Sequence, residues 1–160
     1  MRRVVVAAFV TVIALALVAP AATAKDGRPF WGRSSGVTTF YDNSKGCAAE
    51  VTTKVDLPAM ASHLGRSRLI TSHCPTGVGI EDGDLTLIAA NGDHLLGTYV
   101  GDVTASEDFS VFYATLTITF DGGTGRFDDA HGTAVMKAIA FAADGPEWPW
   151  SATWSGWLTY

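Results

Sequence analysis

The strongest constraint on this chain is a missing period. Beyond residue 25 no segment of the 160-residue sequence sustains a 3.6-residue apolar repeat with caps at both ends. The best short helical stretch is PAMASHL, residues 58–64. What recurs instead is runs rich in Val, Thr, Ile, Phe, Tyr and Trp, set apart by Gly, Asn and Asp. About eight such runs are legible, at 36–42, 48–57, 66–74, 84–90, 94–104, 109–120, 132–143 and 150–160. Eight consecutive short strands with tight connections make an up-and-down barrel or a sandwich. The meander-like loops favour the barrel, as do Gly97, Gly101 and Gly156, since glycine inside a strand marks a place where a sheet bends. The expected fold is therefore all-β, an eight-stranded antiparallel barrel.

Local chemistry suggests how neighbouring strands meet. Ala90-Asn91-Gly92-Asp93 lies between two apolar runs, and Asn-Gly there is a hairpin signal. A two-residue turn with positive φ at Asn91 and Gly92 would set Leu87 opposite Leu96 and fix the register of both strands. Pairing 48–57 with 66–74 could likewise set Cys47 directly opposite Cys74, at a separation a disulfide tolerates. These are the only two cysteines. Two free thiols or part of a metal site are the alternatives, but a structural zinc site needs four ligands and no His pair matches this spacing. One disulfide, Cys47–Cys74, is the expectation for an oxidising compartment.

The first residues address the chain. Arg2 and Arg3 precede an apolar run from Val4 to Val18, followed by Pro20 and the small-residue site Ala22-Thr23-Ala24. This is the three-part pattern of a secretory signal peptide. The run is short for a membrane span, which takes ~20 residues. Residues 1–24 are read as the signal peptide and 25–160 as one domain, secreted by the general route, with no membrane association after cleavage. No cysteine stands at the cleavage point, which argues against a lipoprotein. The formal net charge is −5, and loss of Arg2 and Arg3 makes it more negative. An acidic chain of this kind repels nucleic acid, so no nucleic-acid partner is expected.

The glycine-rich stretch TFDGGTGRFDDAHG, residues 119–132, invites a ligand-binding reading. It fails each test. Gly125 is followed by Arg126 and Phe127, not by the Lys-Ser/Thr of a phosphate loop, and no helix pattern follows. A dinucleotide fingerprint needs glycine where Asp128 stands. Asp121, Asp128, Asp129 and His131 do not form a recognisable calcium loop. The stretch reads as a strand-to-strand connection in which Gly123 and Gly125 supply turn geometry, as Asn91 and Gly92 do in the other hairpin. No metal and no cofactor is expected.

Other residues leave alternatives open. Arg66 and Arg68 lie two apart and share one strand face. Outward they are solvated charges; inward they would orient an anionic ligand. His63, His73, His94 and His131 have no metal-ligand spacing, and no serine sits in a nucleophile elbow. Trp150 and Trp154 share a face, with Trp157 on the other, and either line a ligand pocket or fill the core. Along 132–143, Ala134, Met136, Ala138, Ala140 and Ala142 alternate with bulkier residues and could line a cavity or sit against bulky neighbours. The candidate ligand-binding residues are Arg66, Arg68, His94, Arg126, Trp150 and Trp154. No catalytic residue is assigned.

Three stretches in order, HLGRSRLITSHC, LTLIAANGDHLLGTYVG and ATLTITFDGGTGRFDDAHGTAVM, resemble small secreted bacterial proteins with an allene oxide cyclase-like barrel. The element from Gly123 to Gly132 is similar to one in plant dirigent proteins. The resemblance covers roughly residues 48–145. It implies a calycin-type eight-stranded barrel, with bacterial origin and an extracellular place. Members of the family include cyclases and dirigent proteins that shape reactive intermediates inside the barrel. Their functional residues do not map by motif onto this chain. The expected function is binding of a small hydrophobic molecule in the barrel, or a non-catalytic extracellular role; the alternative is an isomerase or cyclase acting on a reactive hydrophobic substrate. Oligomeric state is left open.

Overall fold

The computed structural model describes residues 27–41 and 43–160. Residues 1–24, read from the sequence as a signal peptide, lie outside them. Eight strands follow in chain order: β1 Arg28–Tyr41, β2 Thr52–Ala61, β3 Gly65–Pro75, β4 Gly79–Ala89, β5 His94–Ala105, β6 Val111–Gly123, β7 His131–Phe141 and β8 Glu147–Thr159. Each pairs antiparallel with the next, and β8 pairs with β1, closing the barrel. Strand alternation sends Leu85, Leu87, Leu116, Ile118, Met136 and Trp154 inward, all buried. The expected eight-stranded antiparallel barrel is the fold observed.

Three local expectations need correction. First, β1 begins at Arg28, well before residue 36. Its inward positions Gly32 and Ser34 carry no apolar signal because Trp154 occupies the space beside Gly32; a Cβ there would collide with the indole. Second, PAMASHL is not helical: Pro58 to Ala61 finish β2. Proline is tolerated because the β1–β2 ladder lapses between Ser34↔Ala59 and Thr38↔Val55. The Pro58 carbonyl points to that seam, where it accepts the Ser34 hydroxyl at 2.9 Å. The missing N–H would point the same way, so no ladder bond is lost.

Third, the two proposed registers are each displaced. Leu87 faces Leu95, not Leu96. Gly92 alone has positive φ, +88°, and Asn91 does not. Ala89 N–H donates to Asp93 O at 2.8 Å, enclosing a three-residue turn with glycine in the left-handed position. The one-residue slip buries Leu95 and leaves Leu96 outside. On β2 and β3, Thr53 faces His73, so Cys47 is not opposite Cys74 within a ladder. The disulfide does form, with Cα atoms 5.2 Å apart, but it ties the β1–β2 loop to the end of β3.

The two barrel ends differ. At one, Phe30 and Phe120 meet edge to face at 5.0 Å, and Phe127 packs on Tyr160 at 5.1 Å. Leu64, Leu95, Ala130 and Leu158 complete the seal, all buried. Phe127 is delivered by a 3-10 turn, Gly125–Phe127, in the glycine-rich stretch. Gly125 has φ +59°, and a Cβ there would run into the Asp93 carboxylate. Across the turn, Arg126 donates to His63 O at 2.6 Å and the Thr124 hydroxyl accepts from His94 N–H at 2.9 Å. The stretch is a joint that carries a plug.

Candidate functional site

The opposite end is open. Small inward residues there, Ala114, Ala138 and Ala140, continue the alternation of β6 and β7 without filling the lumen. They face aromatics from β1, β6 and β8. Trp148 stacks on Phe112 at 5.2 Å and meets Phe40 edge-on at 4.7 Å. Between these walls is a cavity of about 280 Å³, also lined by Trp150, Val103, Ile80, Thr38, Thr53 and His73. Its size is near the lower end of the ~300–1,000 Å³ typical of small-molecule sites.

The polar groups are few and cluster on the β2–β3 wall. Thr53 and His73 are cross-strand neighbours. The Thr53 hydroxyl is buried and has no hydrogen-bond partner among the described residues. His73 Nδ1 lies 2.8 Å from the Tyr99 hydroxyl, in a hydrogen bond whose direction follows the imidazole tautomer. Burial, with a smaller contribution from the Lys45 charge, lowers the His73 pKa to about 4. The ring is neutral at pH 7. Burial also pushes the Tyr99 hydroxyl well above its ordinary range, so it stays protonated. Lys45 itself pairs with Asp84 and does not line the cavity. The site is thus an uncharged, mostly apolar cup with one imidazole and one unpaired hydroxyl.

Two loops frame the entrance. Thr76 and Gly77 belong to the β3–β4 connection. Phe109, 68% exposed and with φ +57°, caps the β5–β6 turn. Asp108 fixes that turn by accepting from the Ser106 hydroxyl at 2.6 Å and the Ser110 N–H at 3.1 Å. The Ser106 bond, followed by those from Ser110, holds the Asp108 carboxyl at about 2.

Of the six candidate ligand-binding residues only Trp150 lines this cavity. Trp154 is buried deeper in the core, with its indole N–H unpaired among the described residues. Arg66 and Arg68 point outward, and Arg68 pairs with Asp56 through a 2.6 Å bond from Nε. That bond lowers the Asp56 carboxyl. His94 and Arg126 belong to the sealed end. Asp128 and His131 are exposed there as well, so nothing from the glycine-rich stretch reaches the cavity.

His73, Tyr99, Thr53, Phe40 and Phe112 were not among the residues expected at a site. A signal for His73 was present: Leu69, Thr71 and His73 alternate on one face of β3, and Leu69 is an evident core residue. Among the described residues no group of His, Cys, Asp and Glu is placed to hold a metal ion. No family model matches this chain, and neither a curated protein nor a solved structure matches it.

Proposed function

We propose that this protein binds a small, largely apolar molecule in the open end of its barrel, in an extracellular setting reached through the N-terminal signal peptide. The observation that carries this reading is the cavity beside Trp148 and Trp150, with an unpaired Thr53 hydroxyl and a neutral His73 on one wall. An apolar cup with a few convergent polar groups favours a ligand with a hydrophobic body and a single hydrogen-bonding head. A buried hydroxyl without a partner carries a desolvation cost that such a head would relieve. The Cys47–Cys74 disulfide is compatible with an oxidising compartment.

The test is mass spectrometry of small molecules that accompany the protein from its native host, paired with the variant Ala140→Phe. Ala140 is half-buried at the rim, so a larger side chain fills the cup without invading the sealed core. The expected result is a reproducible apolar ligand on the wild type and none on the variant. Absence of any ligand across independent preparations, or equal occupancy of Ala140→Phe, refutes the reading.

One observation favours a second reading, an isomerase or cyclase of the allene oxide cyclase-like kind. The His73–Tyr99 pair adjoins the space where a substrate would sit, and a cup of this shape can hold a reactive chain in a productive conformer. Conversion of a bound ligand by wild type but not by Tyr99→Phe would select this reading. Unchanged ligand recovered from both would select simple binding.

A further inference from the structure

The outer wall carries a second feature, unrelated to the cup. In-register pairing sets one row of outward residues across five strands: Lys137 on β7, Thr153 on β8, Arg33 on β1, Met60 on β2 and Arg66 on β3. The cations occupy every second strand, a spacing of about 10 Å from the inter-strand distance. No carboxylate lies within ion-pair distance of any of the three among the described residues. Arg68, one row away, is by contrast neutralised by Asp56. On a chain of net negative charge, three unpaired cations in line are a local exception.

Shape and chemistry coincide with that charge. Beside this row, where the β1–β2 ladder lapses beyond Ser34↔Ala59, a groove of about 590 Å³ opens, lined by Arg33, Met60, Arg66 and Thr153. Two residues from Arg33 on the same face stands Trp31, 53% exposed, and diagonally across the β1–β8 pair stands Trp157, 59% exposed. Two accessible indoles beside a line of cations suit rings that carry single negative charges. The apolar face of a sugar lies against indole, and a carboxylate accepts from guanidinium. Cations set apart at a regular interval fit a chain with one charge per repeat better than a compact polyvalent phosphate.

We infer that the groove and row formed by Lys137, Arg33 and Arg66, with Trp31 and Trp157 beside them, bind an extended acidic polysaccharide through its uronic carboxylates. The site lies on the outer wall, so binding there is independent of any occupant of the barrel.

Titration calorimetry with polygalacturonate oligomers tests this at fixed, moderate salt. The wild type is expected to bind them, and to bind the methyl-esterified oligomers much more weakly. Arg33→Ala and Arg66→Ala should each lower affinity about fivefold, the effect of removing one exposed charge pair. Trp31→Ala should weaken binding of the sugar chain while leaving any association with linear polyphosphate unchanged. All of these side chains are exposed, and an unaltered melting temperature confirms that each variant keeps its fold. Three results overturn the inference: no heat with polygalacturonate, equal binding by the Arg33→Ala/Arg66→Ala double variant, or polyphosphate bound as tightly as the sugar chain with no contribution from Trp31.

Discussion

The two ends of the barrel are built on opposite principles. The sealed end is held by packing: Phe30, Phe120, Phe127, Leu95 and Leu158 are all at most 1% exposed. The open end has half-buried aromatics around a cup and is held by a covalent tie, Cys47–Cys74, which pins the β1–β2 loop to the end of β3. Side-chain bonds finish the tie. Asn43 donates to Cys47 O at 2.9 Å and accepts from Cys47 N–H, while Thr52 accepts from Lys45 N–H at 3.1 Å. A cavity removes the contacts that would otherwise hold a loop, because its lining lacks partner atoms on one side. A disulfide restores stability there without filling the space.

The comparison breaks most visibly at the plug. Phe127→Ala removes a fully buried ring from the sealed end and should cost about 3–5 kcal/mol, the range for core Phe→Ala changes. Phe112→Ala, at the half-buried wall of the cup, should cost about 1 kcal/mol. Chemical denaturation of both variants measures the contrast. Equal losses would show that the two ends are packed alike. Loss of the disulfide in the Cys47→Ala/Cys74→Ala variant comes next. The bond spans a sequence separation of 27, for which loop-closure entropy predicts a loss of about 3–4 kcal/mol. Hydrogen exchange should rise first at residues 43–52 and at the end of β3, with the sealed end unchanged.

How far these ends were legible in the sequence follows from where each signal arises. Eight strands could be counted because alternation and turn residues are local properties, and the small face of β7 left open a cavity that Ala138 and Ala140 do line. Register is not local. The difference between a two-residue and a three-residue turn at Asn91-Gly92 rests on one φ angle, yet it decides whether Leu95 or Leu96 is buried. The first half of β1 was invisible because its inward positions are small or polar: Gly32 gives way to Trp154 of β8, far along the chain, and Ser34 faces Ala152. The site was least legible of all. Charged and indole residues drew notice at Arg66, Arg68, His94, Arg126 and Trp154, whereas the cup is made by strand ends converging from around the barrel. Its distinctive residue, His73, stands out only when the inward face of β3 is followed to its end.

The finest probe of the open end is protonation of that histidine. His73 has a folded-state pKa of about 4 against an ordinary value of 6.5, chiefly because burial disfavours the charged ring. The unfolded chain therefore binds this proton at higher pH than the folded chain does. Stability from the neutral, buried ring is complete above pH 6.5 and declines as pH falls toward 4, below which both states are protonated. The total available from this group is about 3 kcal/mol, since each tenfold difference in proton affinity between the two states is worth about 1.4 kcal/mol. Denaturation midpoints measured from about pH 7.5 down to about pH 4 should fall along that curve for the wild type. His73→Gln keeps a polar side chain beside Tyr99 but removes the titration, so its midpoint should be flatter over the same interval. An apolar ligand filling the cup would deepen the burial of the ring and move the decline to lower pH. Identical slopes for the wild type and His73→Gln would show that water reaches the ring freely, and with it that the cup is wetter than its apolar walls imply.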